Sequence, residues 1–169
     1  NLEKQVEEME KSIILFNSYF TDLGWCAYDS MNTSLMNAAI SKYESSGADA
    51  GEEVLLNYYK TDAREIIHWL KNKAEPFAQR YELIQKAFDD HFEGRYYASV
   101  PLFLIIIDGA VNDYTKSKGF FAEGTDVTAW DCLVGCSDGL TKMKGIFNKG
   151  RNKTNHEEIR VPYRNGILH

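Results

Sequence analysis

The chain has 169 residues, of which 44% are hydrophobic and 26% are charged, so it is long enough to bury a hydrophobic core. Its net charge of −6 argues against a protein that coats nucleic acid through a uniformly basic surface. The longest apolar run, residues 100–107, is too short to cross a membrane, and no apolar segment typical of a signal peptide follows the charged first residues. We therefore expect a cytoplasmic protein without a membrane partner.

The first 75 residues predict three helices. An apolar stripe with alternating spacings of four and three residues predicts an amphipathic helix over residues 2–21, ended by Gly24. A stripe so narrow suits one partner helix, in this chain or in another. A weaker helix is expected over residues 30–45. A third is expected from an N-cap at Asp49, with Glu52 as its capping-box partner, to about residue 73. The stripe consists of Leu2, Val6, Met9, Ile13, Phe16 and Phe20.

The remaining residues predict further helices. Apolar periodicity predicts helices over residues 77–93 and 96–117, and the second of these is apolar on every side at residues 100–107, as a central helix would be. Another helix is expected to open at Thr125 or Asp126 and to continue to Phe147. A last helix is expected to begin near Arg164. The predicted fold is an all-α bundle of about five to seven helices.

Neither histidine nor cysteine spacing predicts a metal site. Glu65 and His68 form one Glu-x-x-His pair, but a di-iron bundle needs a second such pair, which the sequence lacks. Cys132 and Cys136 lie four residues apart without a second ligand pair nearby, so we interpret them as small buried side chains. We expect neither a metal nor a cofactor.

Polar residues follow the apolar run of the central helix. Asp108, Asn112 and Thr115 share one helix face, at positions i, i+4 and i+7. A carboxylate at the end of a buried run is either paired or functional, because burying it alone is costly. The alternative is that the helix emerges into solvent after Ile107.

The C-terminal stretch is a basic island in an acidic chain. Residues 141–164 contain seven basic residues and only two acidic ones. The alternative to a phosphate-binding role is a solvated helix face and loop. The candidates for binding phosphates are Lys149, Arg151, Lys153 and Arg160.

The last residues carry an Arg-x4-His spacing, from Arg164 to His169. This pattern resembles the Arg-x4–6-His motif of HEPN ribonucleases. A second copy, from Arg151 to His156, has the same spacing but lies in a stretch rich in Lys and Asn. The favoured copy has the context of a packed helix start and reads Val161, Pro162, Tyr163, Arg164, Asn165, Gly166, Ile167, Leu168 and His169.

The resemblance extends back to about residue 78. Residues 80–88 and 94–109 look like the helical hairpin that precedes the motif in uncharacterised bacterial HEPN-like proteins. The resemblance implies a HEPN-like helical domain over residues 76–169, whose last helix is cut off by the end of the sequence. Residues 1–75 then form an N-terminal helical region that serves as an extension or in dimerisation.

The resemblance also implies an activity, a metal-independent endoribonuclease that works as a homodimer. His169 would act as the general acid or base, because an unperturbed histidine titrates near neutral pH. Arg164 would hold the scissile phosphate in its planar guanidinium fork. Asn165 and Asp108 would orient these two, with Asn112 in support.

The resemblance also implies several partners, and three alternative functions stay open. The implied partners are RNA, a second copy, and an antitoxin or a nucleotidyltransferase, in toxin–antitoxin biology or phage defence. The first alternative is a non-catalytic HEPN-like domain that binds a nucleotide, RNA or protein. The others are a helical scaffold and an antitoxin-like protein, each dimerising through the stripe from Leu2 to Phe20.

Overall fold

The computed structural model describes residues 2–73, 75–116, 118–128 and 138–148. Within these ranges the chain is helical and contains no strand, which confirms the predicted all-α fold. None of the helices searched there has the length and apolar character needed to cross a membrane. The helices are α1 (Leu2–Phe20), a 3-10 helix (Thr21–Leu23), α2 (Thr33–Ser46), α3 (Ala48–Lys73), α4 (Glu75–Gln79), α5 (Tyr81–Phe92), α6 (Tyr96–Thr115) and α7 (Gly139–Phe147).

The described residues form two compact units. The first unit contains residues 2–60 together with residues 126–128 and 138–148, and the second contains the described residues between 61 and 125. The boundary at residue 60 falls inside α3. The predicted division after residue 75 rests on sequence resemblance, and it stays a prediction.

The core of the first unit forms where α1, α2 and the first part of α3 meet. Phe16 and Phe20 on α1 are fully buried, with ring centroids 4.7 Å apart. Burying a side chain of this size contributes roughly 1.5–3 kcal/mol. The rest of this core comes from Ala27, Met31, Leu35, Met36, Ala39, Ile40 and Leu55.

Local capping explains where the first helices begin and end. Gly24 has φ of 92° and its N–H donates to Thr21 O at 2.9 Å, so the predicted stop at Gly24 is confirmed. The Asn32 side chain accepts from the backbone N–H of Ser34 and Leu35, which places the start of α2 three residues later than expected.

The predicted N-cap at Asp49 is wrong. Gly47, with φ of 92°, ends α2, and α3 begins at the next residue, so Asp49 lies inside the first turn. Glu52 is not a capping-box partner: its carboxylate accepts a hydrogen bond from Trp25 Nε1 at 2.9 Å. The Glu52 side chain, which the local sequence pattern assigned to the helix cap, thus forms a tertiary contact with Trp25, 27 residues away in the sequence.

The predicted helix over residues 77–93 is two helices, α4 and α5. The break falls at Arg80, whose φ of −103° and ψ of 11° depart from helical values. Arg80 Nη1 donates to Pro76 O at 3.0 Å and satisfies a carbonyl at the interruption. Gly94, with φ of 75°, then leads α5 into α6, and the two pack through Ile84, Ala87 and Ile106.

The central helix is not buried on every side. In α6 the residues Ser99, Ile106, Ala110 and Val111 are buried, but Ile105 is 64% exposed, so the expectation of all-round burial is wrong. The helix ends at Thr115, where Lys116 adopts a left-handed conformation with φ of 54°.

The predicted single helix from residue 126 to Phe147 is also wrong, because α7 begins at Gly139 after a turn at Asp138. At the expected start of that helix, the Asp126 side chain caps the backbone of Thr128: its carboxylate accepts from the Thr128 hydroxyl at 2.5 Å and from the Thr128 N–H at 2.8 Å. These hydrogen bonds lower the pKa of Asp126. A depressed folded pKa means that the cap stabilises the fold above the usual carboxyl range and loses its effect as pH falls through the folded pKa.

Gly139, the first residue of α7, lies against the Asn17 side chain of α1. A Cβ added at Gly139 would lie 2.7 Å from Asn17 Nδ2, and Asn17 is only 1% exposed. Asn17 cannot easily move away, because its Oδ1 accepts the N–H of Ala27 at 2.8 Å.

We expect Gly139→Ala to lower the free energy of unfolding of the first unit by about 1–3 kcal/mol, as overpacking does. The matched control is Gly145→Ala on the same helix, where an added Cβ meets nothing within 4 Å. It should stabilise the helix by up to about 1 kcal/mol. The measurement is urea unfolding together with amide exchange of Ala27. Equal stability of the two variants would contradict the close approach.

Candidate functional site

The predicted site is only partly within the described residues. Asp108 and Asn112 lie on α6, in the second unit. The predicted catalytic residues Arg164, Asn165 and His169 lie outside the described ranges. The same is true of the predicted phosphate-binding residues Lys149, Arg151, Lys153 and Arg160.

The polar half of α6 follows its apolar half without a break in the helix. Asp108 is half-buried and Asn112 is exposed, and one helical turn separates them on a common face. Thr115, one turn further, donates from its hydroxyl to Val111 O at 2.8 Å and thereby satisfies a carbonyl of the last turn. The spacing therefore predicts the shared face, and the helix does continue to Thr115.

Asp108 anchors the loop that follows α6. Its Oδ1 accepts the backbone N–H of Phe121 at 2.9 Å. Gly119 lies against the same carboxylate, so closely that an added Cβ would overlap it. Thr125 closes the loop by donating its hydroxyl to Gly119 O at 2.7 Å. Of the alternatives for Asp108, the structure places it in a pair, with a backbone amide as the partner.

The loop also contributes two aromatic side chains to the interior. Phe120 and Phe121 are 3% and 7% exposed, and their rings meet edge to face with centroids 5.0 Å apart. Without the Asp108 hydrogen bond, the Phe121 N–H next to these rings would lose its acceptor. Asp108 thus orders the loop through a charge-assisted hydrogen bond, which is stronger than a hydrogen bond between neutral groups.

An ion pair that sequence analysis missed involves another face of α6. Arg80 Nη2 contacts Asp113 Oδ2 at 2.5 Å, with side-chain exposures of 21% and 37%. The guanidinium covers Gly109, where an added Cβ would lie 2.9 Å from Nη2. The pair connects the break between α4 and α5 to α6. No periodic pattern links residues so far apart, but a glycine inside an apolar helix is a signal of close approach.

In the described ranges, no group of three or more His, Cys, Asp or Glu side chains is placed to hold a metal ion. Of the single Glu-x-x-His pair, His68 has Nδ1 3.5 Å from the Tyr81 hydroxyl. The Lys71 ammonium lies over the same Tyr81 ring, 4.7 Å from its centroid. These contacts connect α3 to α5 as a structural cluster.

We expect Asp108→Ala to destabilise the second unit by about 1–3 kcal/mol, because the Phe121 N–H loses its acceptor. Asp108→Asn is the matched control: it keeps an oxygen acceptor and should cost less. Thermal unfolding and amide exchange of Phe121 measure the difference. If exchange at Phe121 is equally fast in both variants, Asp108 does not anchor the loop.

The geometry available for chemistry is thus an acidic and polar surface on α6, with one carboxylate held by a backbone amide and another by Arg80. Such a surface can orient a cationic side chain. Comparison of the chain with protein-family models, with curated proteins and with solved structures finds no match.

Proposed function

We propose that the chain is a metal-independent endoribonuclease of the HEPN type, acting as a homodimer on RNA in the cytoplasm of a bacterium. The observation that carries the proposal is the spacing from Arg164 to His169, in a sequence context that predicts a helix start. The packed hairpin of α5 and α6 supports it, since the resemblance places a helical hairpin before the motif.

Cleavage of RNA without a metal has three requirements. The 2′-hydroxyl must lose a proton, the charge of the phosphorane must be stabilised, and the leaving oxygen must gain a proton. His169 can move the protons, since an unperturbed imidazole has a pKa of about 6.5. Arg164 stays charged and presents a planar fork to the phosphate oxygens.

The spacing explains why the proposed enzyme is a dimer. On a regular helix, Arg164 and His169 lie about 140° apart, whereas Asn165 and His169 share a face. Both side chains therefore converge on one phosphate only if Arg164 lies at the helix start or if two copies meet, and we favour the second solution. A two-fold axis places each motif opposite its copy, and the two together form one cleft.

Asp108 and Asn112 have supporting roles in this proposal. A carboxylate accepts up to about four hydrogen bonds, so Asp108 can hold the Phe121 amide and still orient Arg164. Lys149, Arg151, Lys153 and Arg160 attract the RNA backbone, which would make binding sensitive to salt. An antitoxin or a nucleotidyltransferase is the proposed regulatory partner, in a toxin–antitoxin or phage-defence setting.

The test is incubation of the whole chain with a mixed RNA pool in EDTA. We expect wild type to leave 2′,3′-cyclic phosphate ends. We expect Arg164→Ala and His169→Ala each to lose about 100-fold or more of the rate. This is the usual range for removing an acid–base group such as His169, and for removing a donor that stabilises developing negative charge, as Arg164 would. The matched control is His156→Ala, which alters the other Arg-x4-His copy and should cleave like wild type.

Cleavage that leaves 3′-hydroxyl ends, or that His169→Ala retains, would exclude this mechanism. Absence of cleavage by wild type, with binding of the RNA pool intact, would favour the non-catalytic HEPN-like domain. Unchanged helicity by circular dichroism must accompany each variant.

A second prediction separates the two roles of Asp108. Asp108→Asn keeps an acceptor for the Phe121 amide but removes the charge that would orient Arg164. We expect kcat to fall about tenfold or more with KM unchanged, since hydrogen bonds to charged groups are worth about 1.5–3 kcal/mol. A kcat equal to wild type would leave Asp108 with loop anchoring alone.

A further inference from the structure

The two ends of α1 have opposite surroundings. Residues 2–11 are all exposed, whereas Phe16, Asn17 and Phe20 near the other end are buried in the first core. The exposed part is about 15 Å long at 1.5 Å per residue. A helix of so few residues is marginal in water without contacts to its apolar side chains. The N-terminal half of α1 therefore has an apolar face that none of the described residues covers.

That face continues the stripe that enters the core. Leu2, Val6 and Met9 are 75%, 44% and 46% exposed. Ile13 is next on the stripe and packs at the edge of the first core. The spacings of four, three and four residues define a heptad register. In this register Val6 and Ile13 occupy positions a, and Leu2 and Met9 occupy positions d.

The residue types at positions a and d indicate which kind of helix can pack against this face. β-branched residues at a, with residues such as Leu that are not β-branched at d, favour a parallel coiled coil of two helices. Val6 and Ile13 are β-branched, and Leu2 and Met9 are not. A pair of identical helices with this stripe would stack Val on Val and Met on Met in matching layers.

The residues beside the stripe select the orientation. Glu3 and Glu10 occupy e positions, and Gln5 occupies a g position. In a parallel pair, Gln5 faces Glu10 of the second copy, an amide opposite a carboxylate. In an antiparallel pair the glutamates at e face each other, which is repulsive. The side chains at e and g and the residue types at a and d thus both favour a parallel arrangement of the two helices.

We propose that the exposed residues Leu2, Val6 and Met9, together with the partly buried Ile13 that continues their stripe, dock against the same stripe of a second copy of this chain, as a short parallel coiled coil. The four layers are few, so the association is weak and depends on concentration. The proposal does not rest on the ribonuclease activity, and RNA cleavage or its absence leaves it unaffected.

The test is sedimentation velocity of the whole chain from about 1 μM to about 1 mM, the range in which a weak dimer forms. We expect Val6→Glu and Met9→Glu to weaken association at least about tenfold, because each places two unpaired carboxylates in the seam. The matched control is Ile14→Glu. Ile14 is 59% exposed on the same helix but lies off the stripe, so this variant should associate like wild type.

Two further variants test the orientation. Gln5→Lys should strengthen association about twofold to fivefold, because lysine at g pairs with Glu10 of the second copy in a parallel dimer. Adding Glu10→Lys should reverse that gain. In an antiparallel dimer Gln5→Lys would have no effect, and Glu10→Lys alone would strengthen association by relieving the repulsion between glutamates.

The proposal is overturned if wild type stays monomeric over the whole range, or if Val6→Glu leaves the mass of the assembly unchanged at every concentration. An antiparallel response of the charge variants would overturn the parallel arrangement. The substitutions at positions 5, 6, 9 and 10 lie in the exposed part of α1, away from Phe16 and Phe20, and the side chain of Ile14 is itself exposed. Unchanged circular dichroism would verify that the fold is intact.

Discussion

The buried amide of Asn17 determines how three segments of the first unit meet. Its Oδ1 accepts the N–H of Ala27, which holds the chain between the 3-10 helix and α2. Its backbone carbonyl accepts the Thr21 hydroxyl at 2.6 Å, where α1 passes into the 3-10 helix. Its amide group touches Gly139 at the start of α7. A polar group in a core is costly unless it is hydrogen-bonded, so these contacts specify one arrangement.

Both units bring a polar side chain close to a glycine. Asn17 contacts Gly139 in the first unit, and Asp108 and Arg80 contact Gly119 and Gly109 in the second. In each case the hydrogen bonds or the ion pair of the polar side chain fix its position, and a Cβ on the glycine would occupy the same space. Close approach of a backbone is one of the main uses of glycine in folded proteins.

Apolar periodicity predicts most of the helices, because burial of one face stabilises them. It places α1, α2, α5 and α6 to within a few residues. Periodicity fails where a contact with a distant residue determines the local structure. Glu52 binds Trp25 instead of capping a helix, and the helix expected over residues 77–93 is interrupted at Arg80. Such pairs leave no periodic trace in the sequence.

The candidate site shows the same limit. The helical spacing predicts that Asp108 and Asn112 share a face, but the Phe121 amide that binds Asp108 lies 13 residues away in a loop. Asp113, the partner of Arg80, could not be inferred from spacing along one helix. The Arg164 and His169 motif is a matter of sequence alone, and its proposed activity depends on the cleavage experiment.

The contacts of Trp25 have an optical consequence. Its indole donates to Glu52 and its ring stacks on Tyr59, with centroids 5.6 Å apart. At this separation, light absorbed by Tyr59 passes efficiently to Trp25 by resonance transfer. Tyr59 and Trp25 are therefore a built-in donor and acceptor, and the energy transfer between them falls when the segment between the 3-10 helix and α2 separates from α3.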